Sequence, residues 1–338
     1  MMWVAAFRSF ATPSACKTAF FPGGASCLKR INPRTDFRPG IFFSTFVKLP
    51  HPIRKRPGQD FSVSLFDKQL VCVTGLPRAG STLMCQLLAH HPAIHCPGQS
   101  SPLPQFLAAL RQHTADNEFL LAQLDRDPDG VHGRLMESYR GFMAGWFSDA
   151  EAGKRLVVDK NRAWMGQFDF AERLAPGCRM IVCLREPGQI FGSVEARHQA
   201  SIGMDFPDHL ANASAYDRAN RLFARDGVIG LALNGFRGIQ DLPDSAHRQI
   251  LCVLFERLVQ HPERMMKQVW EFLGVDPVDI DFDNLSTLPG ESDSHYRFKY
   301  THRTHSRIRP PGRHQIPARI EAEIRHSFEW FYKIFYPA

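Results

Sequence analysis

Residues 74–82 combine two glycines, one arginine and three hydroxyl side chains where a short apolar run meets a helical pattern. The arginine is Arg78, and the hydroxyl residues Ser81 and Thr82 stand at the start of the helical pattern. A loop of this kind presents backbone N–H groups and a helix N-terminus to an anion, so it predicts a phosphate site. The alternative left open at this point is a turn in which the glycines serve only the backbone.

The spacing within this loop separates two kinds of phosphate site. The nucleoside-triphosphate pattern G-x-x-x-x-G-K-[ST] places a lysine directly after its second glycine. Gly75 and Gly80 fit that spacing, but Ser81 occupies the lysine position and Arg78 supplies a positive charge three residues earlier. Because that lysine reaches the β- and γ-phosphates, its absence disfavours ATP or GTP hydrolysis and a nucleotide kinase.

Further candidate residues follow other predicted strands. Lys160 comes directly after residues 155–159, and Arg185 comes directly after residues 179–184. Ser193 lies eight residues beyond Arg185 in a predicted helix, where the intervening turn would bring it back to the same ligand. Since ligands of open α/β sheets bind at the carboxyl ends of the strands, we expect all three residues near the glycine-rich loop.

The elements that must position these residues alternate between strands and helices. Apolar runs predict strands over 70–73, 155–159, 179–184 and 249–256. Helical spacing predicts helices from residue 81 to about 90, over 105–147 with a break at 127–130, over 168–174, from 187 onward, and over 215–235, 262–274 and 317–335. Residues 93–104 and 276–314 are predicted loops. Repeated βα units predict an α/β fold, a three-layer sandwich of the P-loop type with a central parallel sheet and helices on both faces.

The positive net charge belongs mainly to the first 60 residues. Ten of the 41 Lys and Arg residues and two of the 34 Asp and Glu residues lie in residues 1–60, which leaves 31 basic and 32 acidic residues in the remainder. A nucleic-acid-binding body is therefore disfavoured. Residues 1–60 are predicted to form a basic, acid-poor leader, and a transit peptide, a disordered tail and a wrongly assigned start remain open.

The remaining composition is that of a globular domain. The chain has no apolar run near the roughly 20 residues of a membrane span, so no transmembrane segment is predicted. None of the eight cysteines forms a C-x-x-C pair, which leaves a zinc or redox motif unsupported. We expect a cytoplasmic protein, or an organellar one if residues 1–60 are a transit peptide.

The two candidate anion sites resemble those of the sulfotransferases that use 3′-phosphoadenosine 5′-phosphosulfate (PAPS). Residues 75–82 resemble the loop that binds the 5′-phosphosulfate of the donor, and Arg185 with Ser193 resembles the 3′-phosphate motif. Residues 100–102 (Ser-Ser-Pro) and 281–284 (Asp-Phe-Asp-Asn) are similar to segments of the bacterial-type group, which is distantly similar to the tyrosylprotein sulfotransferases.

The resemblance runs from Lys68 to the C-terminus and implies one sulfotransferase-like domain over residues 61–338, acting on a hydroxyl or amine of a small-molecule or peptide acceptor. It implies that Arg78 and Lys160 stabilise the transferring group and that no metal is needed. The residues that the resemblance assigns to donor binding are Pro77, Arg78, Ala79, Gly80, Ser81, Thr82, Arg185 and Ser193. It also places the basic residues Arg303, Arg307 and Arg309 near the 3′-phosphate.

A general base is not evident where relatives carry one. Arg162 stands at the position of the cytosolic family's histidine, and Gln99 stands at the position of the tyrosylprotein family's glutamate. Neither side chain accepts a proton at neutral pH. A non-catalytic nucleotide-binding protein therefore remains an alternative. The other candidates for the base are His95, Asp159, Glu195 and His198.

Overall fold

Five parallel strands form one sheet in the computed structural model, which describes residues 66–151, 153–200, 210, 212–288, 291–292, 301–302, 304–310 and 312–337. The strands are β1 (Gln69–Gly75), β2 (Ile94–His95), β3 (Leu156–Lys160), β4 (Arg179–Leu184) and β5 (Ile250–Leu254). Their order in the sheet is β2-β3-β1-β4-β5, and every pairing is parallel. The leader lies outside the described residues.

Helices and short connections surround this sheet. The helices are α1 (Ser81–Leu88), α2 (Leu103–Ala115), α3 (Glu118–Arg126), α4 (Pro128–Trp146), α5 (Phe168–Leu174), α6 (Pro187–Ala200), α7 (Ala215–Phe223), α8 (Val228–Gln240), α9 (Asp244–His247), α10 (Phe255–Gln260), α11 (Pro262–Leu273), α12 (Ala318–Ser327) and α13 (Glu329–Phe335). A 3-10 helix spans Arg162–Gly166, and β6 (Glu291–Ser292) pairs antiparallel with β7 (Thr301–His302). Within the described ranges, no helix has both the length and the apolar character needed to cross a membrane.

Burial of the central strands explains the layered architecture. Every residue of β3, and every residue of β1 after Gln69, is buried. Because successive side chains of a strand point to opposite faces, both faces of the sheet must be covered. Leu70, Val71 and Val73 belong to the same buried core as Phe191, Phe236 and Trp270 of the helices. The predicted fold class, an α/β sandwich with a parallel sheet and helices on both faces, is confirmed.

The predicted strands are found, with two corrections. Strand β2 lies in a segment predicted as a loop, because two residues are too few to show a periodicity and only their pairing with Leu156 and Val157 defines them. The fourth predicted strand, 249–256, is wrong at its end, since α10 already begins at Phe255. The apolar run continues from strand into helix without a turn residue, so the composition does not mark the change.

The first part of the helix predicted over 105–147 is divided into α2 and α3 at Asp116 and Asn117. The break predicted at 127–130 is confined to Asp127, since α4 begins at Pro128.

Two other predicted helices are also divided in the structure. The helix predicted over 215–235 is interrupted between α7 and α8, where Gly227 N donates to Ala224 O at 2.8 Å. A Cβ on Gly227 would lie 2.2 Å from the carbonyl oxygen of Arg221, so the turn requires glycine. The helix predicted over 317–335 is interrupted at Phe328. Both interruptions lie within continuous amphipathic patterns. The periodicity therefore predicts one helix where the structure has two.

Candidate functional site

The loop after β1 begins where the backbone of β1 passes very close to that of β4. Gly75 has φ +134°, and a Cβ there would lie 2.0 Å from the carbonyl oxygen of Cys183, so no other residue fits. Leu76 N then donates to Cys183 O at 2.9 Å, which fixes the start of the loop. Arg78 has φ 59° and is the one non-glycine residue with a left-handed backbone among the described residues. Such a conformation in a side-chain-bearing residue is typical of functional loops.

Helix α1 presents an open N-terminus to this loop. Gly80 is its N-cap with φ 87°, and no side chain caps the first turn. The unsatisfied N–H groups of a first helical turn bind anions, and here Ser81 and Thr82 add partly exposed hydroxyl groups. Pro77 and Ala79 are buried and shape the loop. The segment predicted to cradle a phosphate therefore has the geometry that such a site needs.

The residues of the second predicted anion site contact this loop directly. Arg185, which follows β4, donates from Nη1 to the backbone carbonyl of Arg78 at 3.1 Å. Arg78 donates in turn from Nε to Oγ of Ser193, on α6, at 3.3 Å. The structure thus brings together three residues that are up to 115 positions apart in the chain. Two motifs recognised separately in the sequence form one cluster.

The environment of Arg185 is unusual for a buried cation. Its side chain is 5% exposed, and its guanidinium carbon lies 4.7 Å from the centroid of the Phe255 ring. Its Nε is buried without a hydrogen-bond partner in the described part of the chain. Burial lowers the pKa of the guanidinium, and Glu256, Tyr336 and Glu186 oppose that effect. Since buried polar atoms are normally paired, an orphaned donor in this position indicates a site for an anion.

Lys160 reaches the same region from the end of β3. It is 4% exposed, and its Nζ donates to Oγ1 of Thr82 at 3.4 Å, at the N-terminus of α1. Its backbone carbonyl accepts from Ser101 N at 3.0 Å, which joins the segment 100–102 to the same strand end. All the predicted donor-site and catalytic residues therefore lie at the carboxyl edge of the sheet, as expected for this fold class.

The sequence-based prediction missed His314, which lies beside the second anion site. Gln189 on α6 holds its backbone, because His314 N donates to Oε1 at 2.8 Å and Nε2 donates to His314 O at 3.2 Å. Burial and the charges of Arg185 and Arg78 lower the pKa of the imidazole. A Cβ on Gly192 would lie 2.4 Å from the Cβ of His314, so this glycine admits the segment. The one signal in the sequence was the nearby run of basic residues.

The structure does not place the arginines predicted near the 3′-phosphate in contact with Arg185, as far as the described residues show. Arg307 and Arg309 are exposed, and neither shows a contact with the cluster around Arg185 in the described residues. Arg303 lies outside the described residues. Their predicted proximity to a 3′-phosphate therefore stays a prediction.

Three of the four candidate bases are engaged in other interactions. Glu195 accepts from Arg218 Nε at 2.8 Å and forms an ion pair with the same guanidinium. Burial acts to raise the pKa of Glu195, but the hydrogen bonds and the charge of Arg218 outweigh burial, so the pKa is lowered. His95 Nε2 lies 3.5 Å from Asp149 Oδ1, and His198 is buried within α6. At the two positions where the resemblance implies a base, Gln99 is exposed, and the carbonyl of Arg162 accepts from Thr74 Oγ1 at 3.2 Å.

Asp159 differs from the other candidates. Its carboxyl group is 1% exposed, and its Oδ1 accepts from Trp164 Nε1 at 2.6 Å. Burial raises the pKa of this carboxyl group from 3.8 to about 6, although hydrogen bonding from Ser101 and Trp164 acts in the opposite direction. A carboxylate with a pKa in this range is suited to general-base chemistry, but its burial beneath the 3-10 helix limits access.

A family comparison bears on the whole cluster. The family model described as "Sulfotransferase family" matches residues 71–279, which include every residue predicted to bind the donor or take part in catalysis but not Arg303, Arg307 or Arg309. The chain belongs to the sulfotransferase family. The predicted resemblance is confirmed at this level. No group of three or more His, Cys, Asp or Glu side chains arranged to hold a metal ion occurs in the described part of the chain.

Individual relatives are similar over part of their length. The chain is 28% identical over 235 residues to the nodulation protein NoeE of Sinorhizobium fredii (strain NBRC 101917 / NGR234). This similarity covers 63% of this chain and 52% of the relative. It is 21% identical over 224 residues to protein-tyrosine sulfotransferase 1 of Danio rerio, covering 65% of this chain and 58% of the relative. The chain thus spans little more than half the length of these relatives. Among solved structures, the sulfotransferase domain from the curacin biosynthetic pathway matches with a TM-score of 0.48 and 17% identity, covering 78% of this chain and 97% of that domain.

Proposed function

We propose that this chain is a PAPS-dependent sulfotransferase that transfers the sulfuryl group to a hydroxyl or amine of a small-molecule or peptide acceptor. The observation that carries the proposal is the contact between the two anion sites through Arg78. The open N-terminus of α1 suits a 5′-phosphosulfate. The orphaned Nε of Arg185, which is linked to Ser193 through Arg78, suits a separate 3′-phosphate. A donor with two phosphate-bearing positions needs both.

Arg78 and Lys160 hold positive charge where the transfer would take place. Arg78 belongs to the loop itself, and Lys160 contacts Thr82 at the start of α1. Sulfuryl transfer resembles phosphoryl transfer, in which positioning and stabilisation of charge on the leaving oxygen provide most of the catalysis. We assign Arg78 to the bridging oxygen of the donor, where charge develops as the bond breaks. Lys160 orients the transferring group.

A second candidate function is donor binding without catalysis. The observation in its favour is the state of the candidate bases, because Gln99 and Arg162 replace the expected groups and Glu195 is paired with Arg218. Asp159 is the remaining carboxylate near Lys160, and it is buried. A protein that had lost its base would retain the anion cluster and bind the donor without turnover.

Calorimetry and a transfer assay separate these functions. The proposal predicts that 3′,5′-adenosine bisphosphate, the desulfated donor, binds more tightly than ATP, and that labelled sulfate moves from PAPS to an acceptor in a panel of phenols, alcohols, amines and tyrosine peptides. Tighter binding of ATP would contradict the proposal in favour of a nucleotide kinase. Tight binding of the bisphosphate with no transfer to any acceptor would favour the non-catalytic function.

A further inference from the structure

Two carboxylates lie next to the cluster of Arg78, Arg185 and Ser193, which is called the donor cluster below. Neither carboxylate forms an ion pair with the buried Arg185. Glu186 directly follows Arg185 in the chain, and Glu256 directly follows Phe255, whose ring contacts the Arg185 guanidinium. The described residues provide Arg185 with no ion pair, and its Nε is unpartnered. Since burying an unpaired charge is costly, a nearby carboxylate is expected to rotate toward it unless other groups hold that carboxylate.

Both carboxylates are held by tyrosine hydroxyl groups, of which Tyr332 lies in helix α13 and Tyr336 directly follows it. Tyr332 donates from its hydroxyl to Glu186 Oε1 at 2.5 Å, and Tyr336 donates to Glu256 Oε2 at 2.8 Å. The other oxygens are also occupied, because Gln189 N donates to Glu186 Oε2 at 3.2 Å and Glu186 N donates to Glu256 Oε1 at 3.4 Å. Every carboxylate oxygen of the pair therefore has a partner other than Arg185.

Further contacts fix the positions of the two tyrosine side chains. Tyr332 is buried, and its hydroxyl also accepts from Gly188 N at 3.4 Å, in the first turn of α6. The guanidinium carbon of Arg325 lies 4.7 Å from the centroid of the Tyr332 ring. The ring of Tyr336 stacks on Phe331 with centroids 6.1 Å apart. Burial and the adjacent carboxylates raise the pKa of both phenols, so each remains a hydrogen-bond donor at neutral pH.

We infer that Tyr332 and Tyr336 are positioning residues that hold Glu186 and Glu256 away from Arg185, and so keep its guanidinium available for the 3′-phosphate of the donor. The inference rests on the proposed function and adds a source of donor specificity from two residues in and directly after α13, far from Arg185 in the chain. Loss of the Tyr336 hydroxyl would release Glu256 Oε2, which would then pair with Arg185 Nε. The result would be a neutralised anion site within an intact fold.

The test compares 3′,5′-adenosine bisphosphate with adenosine 5′-phosphate by calorimetry. Tyr336→Phe should weaken binding of the bisphosphate about tenfold, the size expected for a competing charge-assisted hydrogen bond, and change binding of the 5′-phosphate less than about twofold. Tyr332→Phe should act in the same direction but more weakly, because Arg325 Nη2 lies 3.8 Å from Glu186 Oε1 and still attracts it. Tyr139→Phe is the matched control, because it removes a buried hydroxyl that contacts Thr114 on α2, outside the cluster.

A double variant distinguishes this mechanism from a purely structural effect. Glu256→Gln added to Tyr336→Phe should restore most of the affinity for the bisphosphate, because a neutral amide does not pair with Arg185 as a carboxylate does. An unchanged preference for the bisphosphate in both single variants, or no recovery in the double variant, would overturn the inference. If the unaltered protein binds the two nucleotides equally, the proposed function itself fails, which is a different outcome.

Discussion

The buried carboxyl group of Asp159 makes a quantitative prediction about stability. Its pKa is raised from 3.8 to about 6 by burial, so the folded state retains the proton over a range in which the unfolded state releases it. A carboxyl pKa that is raised in the folded state lowers the free energy of unfolding. The folded state loses stability as the pH rises from about 4, and the loss is complete above about pH 6. At about 1.36 kcal/mol per pKa unit, the full cost is about 3 kcal/mol at pH 7.5, and it falls to about 1 kcal/mol at pH 4.5.

Asp159→Asn removes this titration and retains an oxygen that accepts from Trp164. Altered contacts add a cost that does not depend on pH, so the informative quantity is the difference between two pH values. Relative to that of the unaltered protein, the free energy of unfolding of the variant should increase by about 2 kcal/mol between pH 4.5 and pH 7.5, which means that the variant gains relative stability. Urea denaturation at both pH values measures it, with Asp169→Asn on the exposed side of α5 as control. An equal effect of Asp159→Asn at both pH values would refute the reasoning.

Three further predictions concern the donor cluster and the leader. Arg185→Ala should weaken binding of 3′,5′-adenosine bisphosphate about 10- to 100-fold and spare adenosine 5′-phosphosulfate, because only the first carries a 3′-phosphate; equal losses in calorimetry would contradict this role. Arg78→Ala should lower kcat more than it raises KM for PAPS in steady-state assays, whereas a pure KM effect would remove Arg78 from catalysis. We also propose that the domain begins near residue 61, so a chain lacking residues 1–55 should keep its thermal unfolding midpoint and its bisphosphate affinity; loss of soluble protein would show otherwise.

Local patterns were sufficient to predict the sheet and to bring most of the candidate site residues to one edge of it. The central strands are continuous apolar runs, and Lys160 and Arg185 each lie at or just beyond a strand end. Because all parallel strands end at one edge, residues that are distant in the chain could be assigned to one crevice from their position alone. The loop after β1 was also recognisable, since its two glycines adopt positive φ angles that the local turn requires.

The residues that support the site could not be found in this way. The sequence placed Tyr332 only within the helix predicted over 317–335 and Tyr336 just beyond it, and their proposed role depends on contacts across 146 and 80 positions of the chain. His314 is fixed through the side chain of Gln189, from a segment without regular structure. Such contacts are set by the packing of distant elements, and neither periodicity nor spacing within one segment encodes them.

Asp159 and Lys160 bear differently on the acceptor side of the proposed reaction. The two residues are adjacent in β3, so their side chains point to opposite faces of the sheet. Lys160 reaches Thr82 on the α1 side, whereas Asp159 contacts Trp164 of the 3-10 helix. A carboxylate on that side would act on an acceptor only if the segment of residues 100–102 or the 3-10 helix moved to admit it. An acid limb near pH 6 in the kcat profile, lost in Asp159→Asn, would identify Asp159 as the base; an unchanged profile would leave its raised pKa as a purely structural cost.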